Sequence, residues 1–408
     1  MISKRKYILT IIVVVFVTAF LTLTLGNVFM VEIGQKVILS RDEYGLMRSM
    51  YEKYAKQEGI MQIAQRDFLY EADEEVMLEG ALEGTLKALG DPYTQYMTKE
   101  EFEALMQDTE GSYEGIGVYI TASDDNKILI VSPIEDTPAE KAGLKTGDKI
   151  IRINGTEFAA DQIDAAVKVM KGEPGTSVTL TVQRVNSDGT QDVSDVVVNR
   201  EKIRIKTIKP AMLEKDIGYI RITTFDMQTA KDFKAAYTAL KNKGMKSLII
   251  DLRYNPGGMI NSTVEISDLF LGEGIVTYTK TKSGEIEYFK SDKDMEDIPI
   301  VLLINEGSAS ASEIMAGAMK DTKRATLIGT KSFGKGIVQK VQKFGDDGEG
   351  IKMTVSEYFT PAGINIHGIG IEPDIEIQLP EDATGYGYEF YETDNQLHKA
   401  VEVLREKQ

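Results

Sequence analysis

The sequence predicts a multidomain α/β and β protein: an N-terminal transmembrane helix, a helical segment, a small β-rich domain and an α/β core. Three observations carry that expectation. Residues 8–30 hold no charged side chain, residues 111–183 break into short apolar runs separated by glycine turns, and beyond Arg200 strand patterns alternate with helical ones. At 408 residues the chain is too long for one small domain, and its 42% hydrophobic content supplies ample core. The chain has no cysteine, so it must fold without disulfides, which fits an extracytoplasmic location. Its net charge of -17, from 64 acidic against 47 basic side chains, disfavours nucleic acid as a partner and an acidic polymer as a substrate.

Taken in order, Lys4, Arg5 and Lys6 precede the uncharged run. At about 1.5 Å rise per residue that run crosses a hydrocarbon core about 30 Å thick. The basic flank stays inside, which makes the chain single-pass in the cytoplasmic membrane with the rest extracytoplasmic. No small-x-small cleavage site precedes Glu32, so the expectation is an uncleaved signal anchor. The expected divisions are 1–36 for flank and anchor, 37–108 for the helical region, 109–200 for the β-rich domain, 201–380 for the core and 381–408 for a helical tail. Within 41–105, Leu78, Ala81, Leu82, Thr85, Leu86 and Leu89 recur at helical spacing, and Gly90-Asp91-Pro92 stops the helix. The β-rich domain has strands at 115–118, 128–131, 149–153 and 178–183, with a helix near 161–170. In the core, strands at 217–222, 247–252 and 300–304 alternate with helices at 229–242, up to Phe270, and 313–320. Helices at 41–89 and 394–407 are candidates for pairing two chains as a homodimer.

The chemistry concentrates between Asn305 and Gln339. With no cysteine and only two histidines, His367 and His398, a thiol nucleophile is excluded and a Ser-His-Asp arrangement has few bases to draw on. Lysine becomes the leading base. Ser308, Ser310 and Ser312 lie where a strand passes into a helix, an elbow that exposes a side chain and lends helix N-terminal amides to an oxyanion. Lys335 follows between Gly334 and Gly336, and Gln339 sits four residues later as a neutral hydrogen-bonding group. On the residues alone, the same stretch also reads as a small-residue turn followed by a surface lysine.

The runs G-S-A-S-A-S-E from Gly307 and S-F-G-K-G-I-V-Q from Ser332 resemble the carboxyl-terminal processing peptidases, or tail-specific proteases. So do L-G-D-P-Y-T-Q-Y-M from Leu89, D-L-R-Y-N-P-G-G from Asp251, where Tyr254 departs from the usual asparagine, and Y-F-T-P-A-G-I-N-I-H-G-I-G-I-E-P-D-I from Tyr358. The resemblance covers about 76–379. It implies Ser310 as nucleophile, Lys335 as general base and Gln339 as the residue that orients the lysine, with Ser308 and Ser312 as hydrogen-bonding neighbours. It also implies a core of the ClpP/crotonase-like type and no metal or cofactor. The glycines let a backbone N–H point into the site, so Gly257 or Gly258 is expected to supply one oxyanion donor and Ala311 the other. His367 is read as structural. Glu313 is read as a first-turn carboxylate favoured by the helix dipole. Asp321 either steadies the site from behind or pairs with Arg324 at the surface.

The run P-A-E-K-A-G-L-K-T-G-D-K-I-I-R-I-N-G from Pro138 resembles PDZ domains, with Gly115-Ile116-Gly117-Val118 in the place of their carboxylate-binding loop. Successive N–H groups at Ile116, Gly117 and Val118 suit a terminal carboxylate. Val118, Ile120, Val167 and Met170 are candidates for the apolar slot that takes the last side chain. The whole reads as a membrane-anchored serine endopeptidase that processes or degrades extracytoplasmic proteins through their accessible C-termini. Two competing readings are an inert PDZ adaptor that only docks C-termini, and a thioester-acting enzyme using Asn255-Pro256-Gly257-Gly258 as its oxyanion turn. Against the last, no adenine- or pantetheine-binding pattern is evident.

Overall fold

The structure, a computed structural model, describes residues 3–26, 31–33, 36–185 and 189–407. It divides into two compact units, Met1–Thr85 and Leu86–Gln408. In the first, α1 spans Lys4–Gly26, and its stretch Lys4–Thr22 is long and apolar enough to cross a membrane. The end of the expected anchor, 27–30, lies outside the described residues. Helix α2 (Arg41–Asp67) begins with a reciprocal cap: Glu43 N donates to Ser40 Oγ at 3.2 Å, and Ser40 N donates to the Glu43 carboxylate at 2.8 Å. It ends where Phe68 turns extended, and α3 (Glu74–Lys87) starts afresh under Asp73, so the helical pattern at 41–89 is two helices.

In the second unit, strand Gln95–Met97 leads into α4 (Lys99–Glu110), closed by left-handed Gly111. An antiparallel sheet follows in the order Gln191–Asn199, Ser177–Val185, Lys149–Ile153, Ile128–Pro133, Val118–Ala122. The strand at Gln191–Asn199 was not expected. Most of its side chains are exposed, so it lacks the one-sided alternation that would mark it. Short α5 (Pro138–Lys141) and α6 (Ile163–Met170) close over one face, burying Ile128, Ile130, Ile150, Leu180 and Val182.

The core sheet runs Ile208–Leu213, Ile217–Ile222, Ser247–Asp251, Ile300–Ile304, Thr326–Gly329, Ile375–Glu376, with all but the first pair parallel. Parallel strands are covered on both faces, and here the alternation splits cleanly. Leu248, Ile250, Ile300, Leu302 and Ile304 pack under α7 (Thr229–Asn242), α8 (Ile260–Asp268) and α9 (Ala311–Asp321). Ile249, Val301 and Leu303 face Leu397, Ala400, Val401 and Leu404 of α10 (Asn395–Glu406). The apolar face of α10 is thus covered inside the chain, so this helix offers little of it to a second chain. An antiparallel sheet stands beside the core, in the order Ile286–Ser291, Gly274–Thr281, Gly350–Phe359, Ile337–Lys343, and Gln95–Met97 also pairs with Gly350–Phe359. That pairing carries the turn at Asp91 to the strand paired with Ile337–Lys343, which follows Lys335.

Candidate active site

The site forms at the carboxyl ends of strands Ser247–Asp251 and Ile300–Ile304, where open α/β sheets gather their chemistry. From the second strand the chain turns through Asn305 to Ser310, which stands at the N-cap of α9 with φ 53 and ψ -114. That left-handed conformation is uncommon for a residue with a Cβ and marks a strained elbow. The three serines differ in what their hydroxyls do. Ser308 Oγ donates to Leu252 O at 2.8 Å and Ser312 Oγ to Asn255 O at 2.9 Å, both residues fully buried. Ser310 Oγ donates to no group among the described residues.

Glu313 organises the rest. Its fully buried carboxylate accepts four hydrogen bonds: Ser332 Oγ at 2.6 Å and Gly334 N at 2.7 Å on Oε1, Ser310 N at 2.9 Å and Lys335 N at 2.8 Å on Oε2. Four donors match the acceptor capacity of a carboxylate, which is how its charge is tolerated in the interior. The dipole reading of Glu313 was therefore too modest. The signal was present in the sequence, since Ser310 and Glu313 have the spacing of a capping box.

The Lys335 ammonium lies 4.5 Å from the centroid of the Tyr93 ring. Burial pushes its pKa below that of an ordinary lysine, and the like charge of Lys352 pushes the same way against the opposing pull of Asp91 and Glu313. The glycine after it is sterically required: a Cβ on Gly336 would sit 2.5 Å from His367 N. Among the described residues no hydrogen bond joins Ser310 Oγ to Lys335 Nζ. Gln339 Nε2 donates to Thr354 Oγ1 at 3.2 Å. Thr354 N donates to Thr94 Oγ1 at 3.0 Å, and Thr94 Oγ1 to Asp91 Oδ2 at 2.6 Å, so the segment from Leu89 is part of the lysine's surroundings.

The glycine turn reaches the same place. A Cβ on Gly257 would lie 2.6 Å from Ala309 O and 2.8 Å from Ala311 N, which brings this backbone against the serine elbow. Gly257 N, however, donates to Asn255 Oδ1 at 2.9 Å. The N–H groups of Gly258 and Ala311 donate to nothing among the described residues. One candidate stands apart from the site. Asp321 accepts a bond from Ala362 N at 2.8 Å, a helix length or about 15 Å from Ser310. It does not pair with Arg324, whose guanidinium caps Phe270 O, Glu296 O and Ile298 O. His367 is exposed, its backbone N held by Asn365 Oδ1.

The six residues expected to receive a C-terminus, Ile116, Gly117, Val118, Ile120, Val167 and Met170, line one cavity of about 240 Å³. The carbonyls of the loop are spent elsewhere: Ile116 O accepts from Ala139 N, and Gly117 O from Ile134 N and Thr137 Oγ1. Helix α4 contributes Ala104, Gln107 and Asp108 to the same wall, which the sequence did not suggest. Lys171 Nζ bonds Gln107 Oε1 at 3.2 Å across it.

Comparison with known proteins identifies the family. The profile of peptidase family S41 matches residues 216–377, that of PDZ domains matches 129–184, and that of the activating protease CtpB N-terminal domain matches 30–101. The chain is 37% identical over 361 residues to a carboxy-terminal-processing protease of Bartonella bacilliformis, covering 86% of this chain and 81% of that one. It is 38% identical over 319 residues to the carboxy-terminal processing protease CtpA of Bacillus subtilis, covering 78% and 67%. Among solved structures, the photosystem II D1 C-terminal processing protease aligns with a TM-score of 0.48 at 28% identity, over 82% of this chain and 88% of that one. The chain belongs to the carboxy-terminal processing proteases of peptidase family S41, with a PDZ domain, and is a serine peptidase.

Proposed function

We propose that this peptidase works through Ser310 as nucleophile and Lys335 as general base, with Gln339, on the strand that begins two residues after the lysine, orienting it. The observation that carries this reading is the single Glu313 carboxylate that holds the backbone of both Ser310 and Lys335. Ser310 Oγ adds to the scissile carbonyl carbon while neutral Lys335 Nζ takes its proton. The oxyanion is met by the unengaged N–H groups of Gly258 and Ala311, Gly257 serving instead to let the turn approach. Lys335 returns the proton to the departing amine, leaving the acyl group on Ser310. Water then adds to the ester as Lys335 accepts its proton, and collapse restores the serine and frees a carboxylate. An ordinary lysine, with a pKa of about 10.4, is protonated at neutral pH, so the partial burial of Lys335 serves the chemistry. No hydrogen bond joins the two groups among the described residues, so the transfer requires the Lys335 amine to come within hydrogen-bond reach of Ser310 Oγ.

In this reading the cavity between strand Val118–Ala122 and α6 receives the free carboxylate of a protein substrate. Helix α1 anchors the enzyme in the cytoplasmic membrane with its domains outside, where substrates with accessible C-termini are met. The test is covalent: an alkyl fluorophosphonate, which phosphonylates activated serines, should label Ser310 as located by mass spectrometry of the digested enzyme. A label on Ser308 or Ser312 would sink the assignment, and so would a Ser310→Ala enzyme that still cleaves an unstructured protein.

A further inference from the structure

The turn that carries Gly258 is fixed from an unexpected direction. Arg253, two residues before Asn255, is fully buried, as are its partners Asp251 and Asp394. Its Nη1 and Nη2 donate to the two carboxylate oxygens of Asp394 at 3.1 and 2.8 Å, a bidentate pair across 141 residues of chain. Its Nε and Nη2 donate to Asp251, and Nη1 also to Gln396 Oε1 at 2.8 Å. Asp394 is held just as firmly. Its Oδ1 caps α10 through Leu397 N at 3.0 Å, and its Oδ2 accepts Gly387 N at 2.7 Å. The ring of Tyr386 covers the guanidinium at 5.0 Å and packs 5.0 Å from Tyr254.

Beyond Arg253 the same backbone grips the nucleophile. Tyr254, at φ 56, donates its N–H to Asn305 Oδ1 at 2.8 Å. Asn255 O then accepts both Ala309 N at 3.0 Å and Ser312 Oγ at 2.9 Å, the residues on either side of Ser310 and Ala311. The C-terminal segment, the arginine, the glycine turn and the serine elbow form one hydrogen-bonded sequence of contacts.

We propose that Asp394, through Arg253, is a positioning residue of the active site: the C-terminal segment sets the placement of the Gly258 amide relative to Ser310 and so the rate of acyl transfer. This rests on the reading of Ser310 and the Gly258 amide given above. A misplacement of a catalytic group by about 1 Å costs on the order of a hundredfold in rate, whereas a purely structural pair would change stability without changing turnover by each folded enzyme.

The experiment uses the full chain in detergent, with active sites counted by fluorophosphonate titration. Asp394→Asn keeps the shape and one acceptor oxygen but removes the charge. Leu404→Ala, which opens a hole in the packing of α10 without touching the bridge, serves as the control. Asp394→Asn should lower kcat per titrated site about 10- to 100-fold with KM within about twofold. Leu404→Ala should lower the melting temperature while keeping kcat per site near wild type. Arg253→Lys should resemble Asp394→Asn, and the double variant should be no worse than either, since both changes break one connection. A wild-type kcat per site in Asp394→Asn, whatever its melting temperature, would overturn the proposal. Ser310→Ala run in parallel separates the two readings: if it is dead, that result bears on the bridge alone, and if it is active, the site reading and the bridge proposal fall together.

Discussion

Ser310 and Lys335 donate their backbone N–H groups to the same atom, Oε2 of Glu313, at 2.9 and 2.8 Å. The proposed nucleophile and base come from an elbow and a loop 25 residues apart, and one buried carboxylate oxygen fixes the distance between their backbones. The other oxygen holds Ser332 and Gly334, so the whole loop before the lysine is tied to the first turn of α9.

Replacing this carboxylate should therefore be costly in both rate and stability. Glu313→Gln turns one acceptor oxygen into an NH2 group that faces two donors. The expected loss is about 3 kcal/mol of unfolding free energy and at least a hundredfold in kcat. Denaturant unfolding and peptide cleavage by the same preparation check both. An active Glu313→Gln enzyme would show that Ser310 and Lys335 keep their places without it.

The elbow predicts a separation of stability from activity. Ser310 holds φ 53 and ψ -114, a conformation that costs a residue with a Cβ about 1–3 kcal/mol and glycine little. Ser310→Gly and Ser310→Ala should both be inactive, with the glycine variant unfolding at the higher temperature by several degrees. Equal melting temperatures would mean that the elbow stores no strain.

The lysine predicts the direction of the pH profile. As the proposed base Lys335 must be neutral, so kcat/KM should climb with pH along a limb centred below the ordinary lysine value, because burial disfavours its charge. Lys352→Gln removes the like charge that acts in the same sense, makes Lys335 more basic and should move the limb to higher pH, with less activity at neutral pH. Lys335→Arg should be as inactive as Lys335→Ala, since guanidinium keeps its proton. A limb that stays put in Lys352→Gln would remove Lys335 from the role of base.

The PDZ cavity predicts selection by charge. Amidating the C-terminus of a peptide whose last residue is apolar leaves its side chains intact and removes the carboxylate. A charge-assisted hydrogen bond is worth roughly 1.5–3 kcal/mol, so kcat/KM should fall about tenfold to a hundredfold. Val167→Asp, which puts a like charge into the cavity wall, should depress cleavage of the acid more than that of the amide. Equal rates for acid and amide would exclude recognition of the terminus by this cavity.

The sequence alone determined whatever depends on neighbours along the chain. The strands Ile217–Ile222 and Ile300–Ile304 and the helix Thr229–Asn242 fall where the sequence pattern places them, because an apolar run and a repeated apolar face are both local signals. The serine run, the glycine-flanked lysine and the exclusion of cysteine were also legible, since they are matters of composition and spacing. Tertiary structure decided how those parts are engaged. Gly257 spends its amide on the Asn255 side chain, which is itself held by Ile222 O at 2.9 Å, while Gly258 does not. That Lys335 rests on Tyr93, from a turn more than 200 residues earlier, follows from an antiparallel pairing of Gln95–Met97 with Gly350–Phe359. That Asp394 reaches Arg253 follows from α10 folding under the sheet. The last two are contacts between groups that share no period and no neighbourhood in the chain. Their partners are set only when the apolar faces have packed and the remaining polar atoms must find one another.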